Sequence, residues 1–267
     1  MSLYFKDWVL EGCPERLDII NLILYTNDYR FSIVPDAIRK LKNLLYICMN
    51  DNKLTSIPSW ITELTKLSYL DLKYNSFSVF PEPVASLCNL THLELGYNTL
   101  CEFPASFENL KKLVYLDLKH NDLTEIPEAI FSLPSLGFID LGSNKLVKIP
   151  AAISKLKGSL RYIELRKNKI TELPESFCEL SCLIEIGLDY NRLASLPSAI
   201  GNLENLERLK LSENKLTELP ESIKSLKKLE YVDLSRNMLT SYPASIANIH
   251  LINIVYGGNP NILYEDE

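Results

Sequence analysis

Apolar and polar positions along the chain follow a pattern that returns about every 23 residues. In Leu113-Val114-Tyr115-Leu116-Asp117-Leu118 the two classes alternate, which predicts a short strand with one face buried. The second half of the same stretch carries Pro127, Ile130 and Leu133 at spacings of three residues, which predicts a turn of α or 3₁₀ helix. Proline is tolerated where such a turn begins, because its amide needs no partner within the helix. Ten of the 14 prolines, from Pro35 to Pro243, occupy this slot. Stacked copies of the unit predict a parallel sheet on one side and helical turns on the other. Each copy buries roughly seven apolar side chains worth ~1.5 to 3 kcal/mol apiece, enough to offset much of the ordering cost once neighbours are stacked on both sides.

A column of asparagines sets the register. Asn52, Asn75, Asn98, Asn121 and Asn144 stand 23 residues apart, and Asn168, Asn191, Asn214 and Asn237 follow after a one-residue insertion near Gly158. Asn259 comes 22 residues later, and Asn27 fits upstream if two residues are looped out before Phe31. A period in this range signals a solenoid. In Leu173-Pro174-Glu175-Ser176-Phe177-Cys178-Glu179-Leu180 and Leu219-Pro220-Glu221-Ser222-Ile223-Lys224-Ser225-Leu226 the unit resembles the leucine-rich repeat family, in its 23-residue intracellular type with Leu-Pro-x-x-Ile-x-x-Leu. The resemblance implies an α/β leucine-rich-repeat solenoid, a horseshoe arc with a concave parallel β-sheet of ten or eleven short strands and convex α or 3₁₀ turns. Residues 1–18 are expected to form an N-terminal cap, helical before Gly12, with repeats over 19–260 and an acidic C-terminal tail over 261–267.

The asparagines have a structural explanation. Where the chain leaves each strand its backbone polar groups turn inward, and burying them unpaired is costly. A short amide holds both donor and acceptor and is expected to bond backbone in its own and the next copy, a ladder along the stack. The residue inserted in Lys155-Leu156-Lys157-Gly158-Ser159-Leu160 is expected to bulge on the convex side or in the loop before the next strand.

Charge narrows the partners. The net charge of -6 gives no basic field for phosphate backbones, so nucleic acid is not expected. The sequence holds no apolar run long enough to cross a bilayer, and Lys6 and Asp7 fall where a signal peptide needs apolar residues. A cytoplasmic address without membrane contact is expected, and secretion by a route without a cleaved signal stays compatible with it. The six cysteines do not cluster at either end, so reduced thiols are the default. Cys178 and Cys182 lack a second pair, and His92 and His120 lie ~16 Å apart at ~3.3 Å per strand residue, so neither metal nor cofactor is expected.

Recognition is expected at the outward positions of the strands. One column reads Tyr46, Tyr69, His92, Tyr115, Phe138 and Tyr162, and beside it run Asp71, Glu94, Asp117, Asp140 and Glu164. Tyr74 and Tyr97 stand next to the asparagines, and a further column, Lys53, Lys145, Lys169, Arg192 and Lys215, is partly basic. Five neighbouring carboxylates ~4.8 Å apart would repel by about 1 kcal/mol per pair in water, which a partner with a basic surface would relieve. Alternatively, Lys73, Lys119 and Arg166 neutralise them within the sheet. These residues suggest a monomeric, non-enzymatic protein-interaction module, either scaffold or effector-like adaptor, that binds a protein on its concave face. The alternatives are an inhibitor or immunity-type protein occluding a basic enzyme or toxin and, remotely, a hydrolase using His120, Asp122 and Ser143.

Overall fold

The computed structural model describes residues 2–4, 22–26, 30–241, 246 and 253–260. Two compact units divide the chain, residues 1–123 with 127–136 and residues 124–126 with 137–267. The first unit holds strands β1 (Ser2–Tyr4), β2 (Leu22–Tyr25), β3 (Leu44–Cys48), β4 (Tyr69–Asp71), β5 (His92–Glu94) and β6 (Tyr115–Asp117). They pair in chain order, all parallel. The second holds β7 (Phe138–Asp140), β8 (Tyr162–Glu164), β9 (Glu185–Gly187), β10 (Arg208–Lys210), β11 (Tyr231–Asp233) and β12 (Asn253–Val255), again parallel and in chain order. The fold is the solenoid expected.

Ser2–Tyr4 departs from expectation: these residues form a strand rather than a helix before Gly12, and so add a strand to the ten or eleven foreseen. The rest of the expected cap lies outside the described residues, as do Asn27 and the acidic tail over 261–267.

Between strands the helical turns are 3₁₀, for example Ser59–Glu63, Ala105–Asn109 and Glu175–Glu179. Proline sits one residue ahead of each of these, in extended conformation, and its carbonyl accepts the first helical bond, as in Ile61 N–H to Pro58 O at 3.1 Å. The proline therefore acts as a cap that fixes φ without wasting a donor. The inserted residue is absorbed in the turn Ala151–Leu156, which has six residues where most have five, and in the exposed bend that follows it.

One coil shows how the core is filled. Leu67, Leu70, Leu72, Phe77, Phe80, Val84 and Leu87 are all at most 3% exposed. Phe77, Phe107 and Phe177 take aliphatic positions and are fully buried.

Every fully described asparagine of the column makes the same set of bonds. In Asn191 the side-chain Oδ1 accepts Ile170 N–H at 3.0 Å, while Nδ2 donates to Leu165 O at 2.9 Å and to Leu188 O at 3.0 Å. Asn75, Asn98, Asn121, Asn214 and Asn237 repeat the arrangement. Asn52 and Asn168 do as well, and Asn144 bonds Leu141 O within its own coil. The cross-coil bonds run to the preceding copy, not the next. Directly before each asparagine from Asn52 to Asn237 stands a residue with φ between 51° and 57°, none of them glycine.

Two stability outcomes follow. Asn191→Ala strips the side-chain acceptor from Ile170 N–H and the amide donor from three carbonyls, and should cost about 3 kcal/mol in urea unfolding. Gly201→Ala should cost about 1 to 3 kcal/mol, because its Cβ would lie 2.2 Å from Ser222 O, whereas Gly158→Ala, with nothing within 4 Å, should leave the unfolding midpoint unchanged or slightly raised.

Candidate functional site

Strand residues point alternately into the core and out of it, so β3 to β6 present two outward columns in register: Tyr46, Tyr69, His92, Tyr115 and Cys48, Asp71, Glu94, Asp117. The first column is a ladder of rings. Ring centroids lie 4.4 Å apart for Tyr46 and Tyr69, 5.8 Å for Tyr69 and His92, and 5.6 Å for His92 and Tyr115, all stacked. A second ladder runs past the strand ends, where Tyr74, Tyr97 and His120 hold the positive-φ positions. Its rings stack at 4.2 Å, tighter than the first, with planes within 14° of parallel. The Lys119 ammonium lies 5.9 Å from the Tyr97 centroid, over the ring. Tyr46 and Tyr74 are exposed.

The carboxylates of β4 to β6 follow the alternative in which lysines neutralise them within the sheet. Asp71, Glu94 and Asp117 are buried, at 3%, 8% and 1% exposure, and do not form a free acidic ribbon. Asp71 accepts Lys73 N–H at 2.9 Å and the Asn50 amide at 2.7 Å. Lys73 then bridges Asp71 and Glu94, and Glu94 also accepts the Tyr69 hydroxyl. Asp117 accepts Lys119 N–H at 2.9 Å, with the Lys119 ammonium 3.2 Å from its other oxygen. Burial raises the Asp71 carboxyl above its ordinary value, against the pull of its hydrogen bond and of Lys73. The Tyr69 phenol is raised too, by burial first and by Glu94 next. Burial likewise pushes the Cys48 thiol up to about 12. The repulsion that would have called for a basic partner is relieved from within.

In the second unit the same columns change character. Phe138 and Tyr162 are tilted at 6.4 Å, and the column continues as Glu185, Arg208 and Tyr231. Asp140 accepts Gly142 N–H at 2.9 Å. Glu164 folds over Gly187, where a Cβ would come 1.9 Å from its carboxylate, and lies 3.7 Å from Lys210, which also pairs with Glu185. Burial raises the Glu164 carboxyl, with Lys210 opposing.

The His120 imidazole is stacked on Tyr97, and among the described residues no group of three or more His, Cys, Asp or Glu side chains is placed to hold a metal ion. Cys48, Cys88, Cys101, Cys178 and Cys182 carry free thiols, and no helix among the described residues is long and apolar enough to cross a membrane. Both ladders contain residues singled out from the sequence. Their ring stacking and the left-handed backbone beneath the second ladder had no signal in the chain beyond aromatics recurring at one repeat position.

Comparison with known families matches a model described as "Leucine rich repeat" at residues 21–77, 77–123 and 88–146, and one described as "Leucine-rich repeat region" at 158–250. A comparison with curated proteins finds no match. Among solved structures, a leucine-rich repeat protein of Leptospira interrogans is similar at 28% identity and TM-score 0.51, over 98% of this chain and 84% of that one. The plant peptide hormone receptor RGFR1, in complex with RGF2, is similar at 26% identity and TM-score 0.59, over 87% of this chain and 45% of the receptor. The TLR13–ssRNA13 complex is similar at 29% identity and TM-score 0.70, over 82% of this chain and 32% of that one. The chain thus spans less than half of each of the last two chains.

The buried charge network yields a sign-specific outcome. Lys73→Met leaves the Asp71 and Glu94 carboxylates without their shared cation and should destabilise the protein by about 2 kcal/mol at pH 7.5, below the full buried-pair cost because Lys73 is partly solvated. A carboxyl raised in the folded state takes up protons on folding, so stability falls as pH rises through its folded value and returns as pH falls. The variant's deficit, measured by urea unfolding, should therefore shrink between pH 7.5 and pH 5.

Proposed function

The chain belongs to the leucine-rich repeat family, and from that premise we propose that it is a non-enzymatic interaction module which holds a protein partner on the strand face of its first unit. The observation that carries this reading is the pair of stacked ring ladders, Tyr46–Tyr69–His92–Tyr115 and Tyr74–Tyr97–His120, on a face whose carboxylates are already paired. Stacked rings are held rigid before binding and present hydroxyls beside apolar area, the chemistry enriched at the energetic centres of protein interfaces. Receptors of similar fold are seen in complex with RGF2 and with ssRNA, so the fold leaves the ligand class open and the surface has to decide it. Here a net charge of -6 disfavours RNA, while amphipathic tyrosines favour polypeptide.

The reading as an inhibitor of a basic enzyme loses its support, because Asp71, Glu94 and Asp117 are buried and neutralised and so steer a cationic partner weakly. Free thiols and the 23-residue unit favour a reducing, cytoplasmic setting. A scaffold of this kind works as a monomer.

Affinity capture from the native cell tests the proposal. The wild-type chain should retain one protein partner at 0.5 M NaCl on the order of salt that screens surface charge, and Tyr46→Ser/Tyr74→Ser/Tyr97→Ser should reduce its recovery at least about tenfold, the loss of a hot spot of ~1.4 kcal/mol or more. Equal recovery by the triple variant would reject the ladders as the site.

A further inference from the structure

The corner just past each asparagine is a surface that the ring-ladder reading does not use. In the second unit it carries Lys145, Lys169, Arg192 and Lys215 on four consecutive coils, all exposed. Backbone bonds set these coils side by side at this position: Lys169 N–H meets Leu146 O at 2.8 Å, Arg192 N–H meets Ile170 O at 2.8 Å and Lys215 N–H meets Leu193 O at 2.9 Å. In the first unit the same position reads Lys53, Ser76, Thr99 and Asp122, so the repeat itself does not demand a cation there.

The surroundings strengthen the positive field. Arg166 and Lys167, exposed on the coil of Lys169, lie directly before Asn168, and the Lys167 ammonium sits 5.7 Å from the Tyr190 centroid, over its ring. Glu213, beside Lys215, is paired with Arg236 and is thereby withdrawn from neutralising the column. Glu172 and Glu218 stand three residues beyond Lys169 and Lys215 and bound the patch on one side. Like charges held on adjacent coils repel by about 1 kcal/mol per pair near 4 Å in water, and a line of carboxylates laid along them removes that cost.

We propose that this corner is a second binding surface, which takes an extended acidic segment of a partner protein across the column Lys145–Lys169–Arg192–Lys215. Three coil spacings of ~4.8 Å give a column ~14 Å long, the span of four or five residues of extended chain at ~3.4 Å each. That length suits a short peptide. A nucleic-acid backbone needs a longer track of phosphate contacts than four cations on neighbouring coils provide. Two surfaces on one chain are what a scaffold joining two proteins requires, although this inference does not depend on the ring ladders.

Fluorescence anisotropy with a labelled decaglutamate peptide tests it, with decalysine and oligo(dT) of equal length as comparators. The full chain should bind decaglutamate in preference to both, and raising salt from about 0.05 to 0.3 M should weaken that binding at least about tenfold. Lys169→Glu/Arg192→Glu should weaken it about tenfold or more, while Lys53→Glu, at the equivalent place in the first unit, should leave it unchanged. Since these side chains are exposed, circular dichroism of the double variant should match that of the wild type. The inference fails if the double variant binds decaglutamate as the wild type does, if Lys53→Glu weakens binding equally, or if oligo(dT) binds more tightly.

Discussion

At the end of every strand the chain must turn through the interior, and its amides and carbonyls must find partners where no water reaches. Asparagine meets that requirement with one short side chain. Its oxygen takes an N–H from the coil before, and its nitrogen gives to carbonyls of both coils, as at Asn98 with Phe77 N–H at 3.0 Å and Leu72 O at 3.1 Å. The turn that brings the amide inward requires left-handed backbone at the residue before, a conformation costing roughly 1 kcal/mol for a residue with a Cβ. The chain bears that cost at Asp51, Tyr74, Tyr97, His120, Ser143, Lys167, Tyr190, Glu213 and Arg236, while Gly258 takes the same place before Asn259. The leucines set how thick each coil is; the asparagines set how each coil docks on the one before it.

The strained residue gains a vantage as a result. Left-handed backbone swings Tyr74, Tyr97 and His120 outward, and the fixed step between coils brings their rings to the 4.2 Å separation at which they stack. A structural necessity thereby supplies a stacked aromatic surface at no additional conformational cost. The same step works against charge on the strands themselves. Carboxylates repeated at strand spacing repel one another, and once buried they need cations beside them, which Lys73 and Lys119 supply from two positions further along their coils. What the strand face offers a partner is consequently aromatic and polar, with its charge largely spent inside the sheet.

Much of this was legible in the chain. The 23-residue period, the proline slot and the asparagine column together specify parallel strands and short helical turns, because each reports a local steric or hydrogen-bonding need that recurs unchanged. Three things were not legible. Whether Asp71 lies open or buried depends on the path of Lys73 and Asn50 over it, which alternation along a strand does not encode. Asn75 reaches back rather than forward because of how coils nest, a relation between copies and not within one. Ser2–Tyr4 lies outside the repeat and becomes a strand by pairing with β2, a tertiary choice that overrides local propensity.

The two units differ at the surface and hardly at all within. Leucine, asparagine and proline columns continue from one to the other, while the outward positions turn from tyrosine to mixed charge and the corner position turns from Ser76 and Thr99 to Lys169 and Arg192. Because each coil's stability rests on inward residues and on its nearest neighbours, outward residues can vary coil by coil with little energetic consequence for the fold. A run of four cations at one corner position therefore demands an explanation outside folding. So does a run of rings that stack on one face and then give way to Glu185 and Arg208. In a repeat architecture, departure from uniformity at solvent-facing columns is therefore where a search for recognition begins, and each unit carries one such departure.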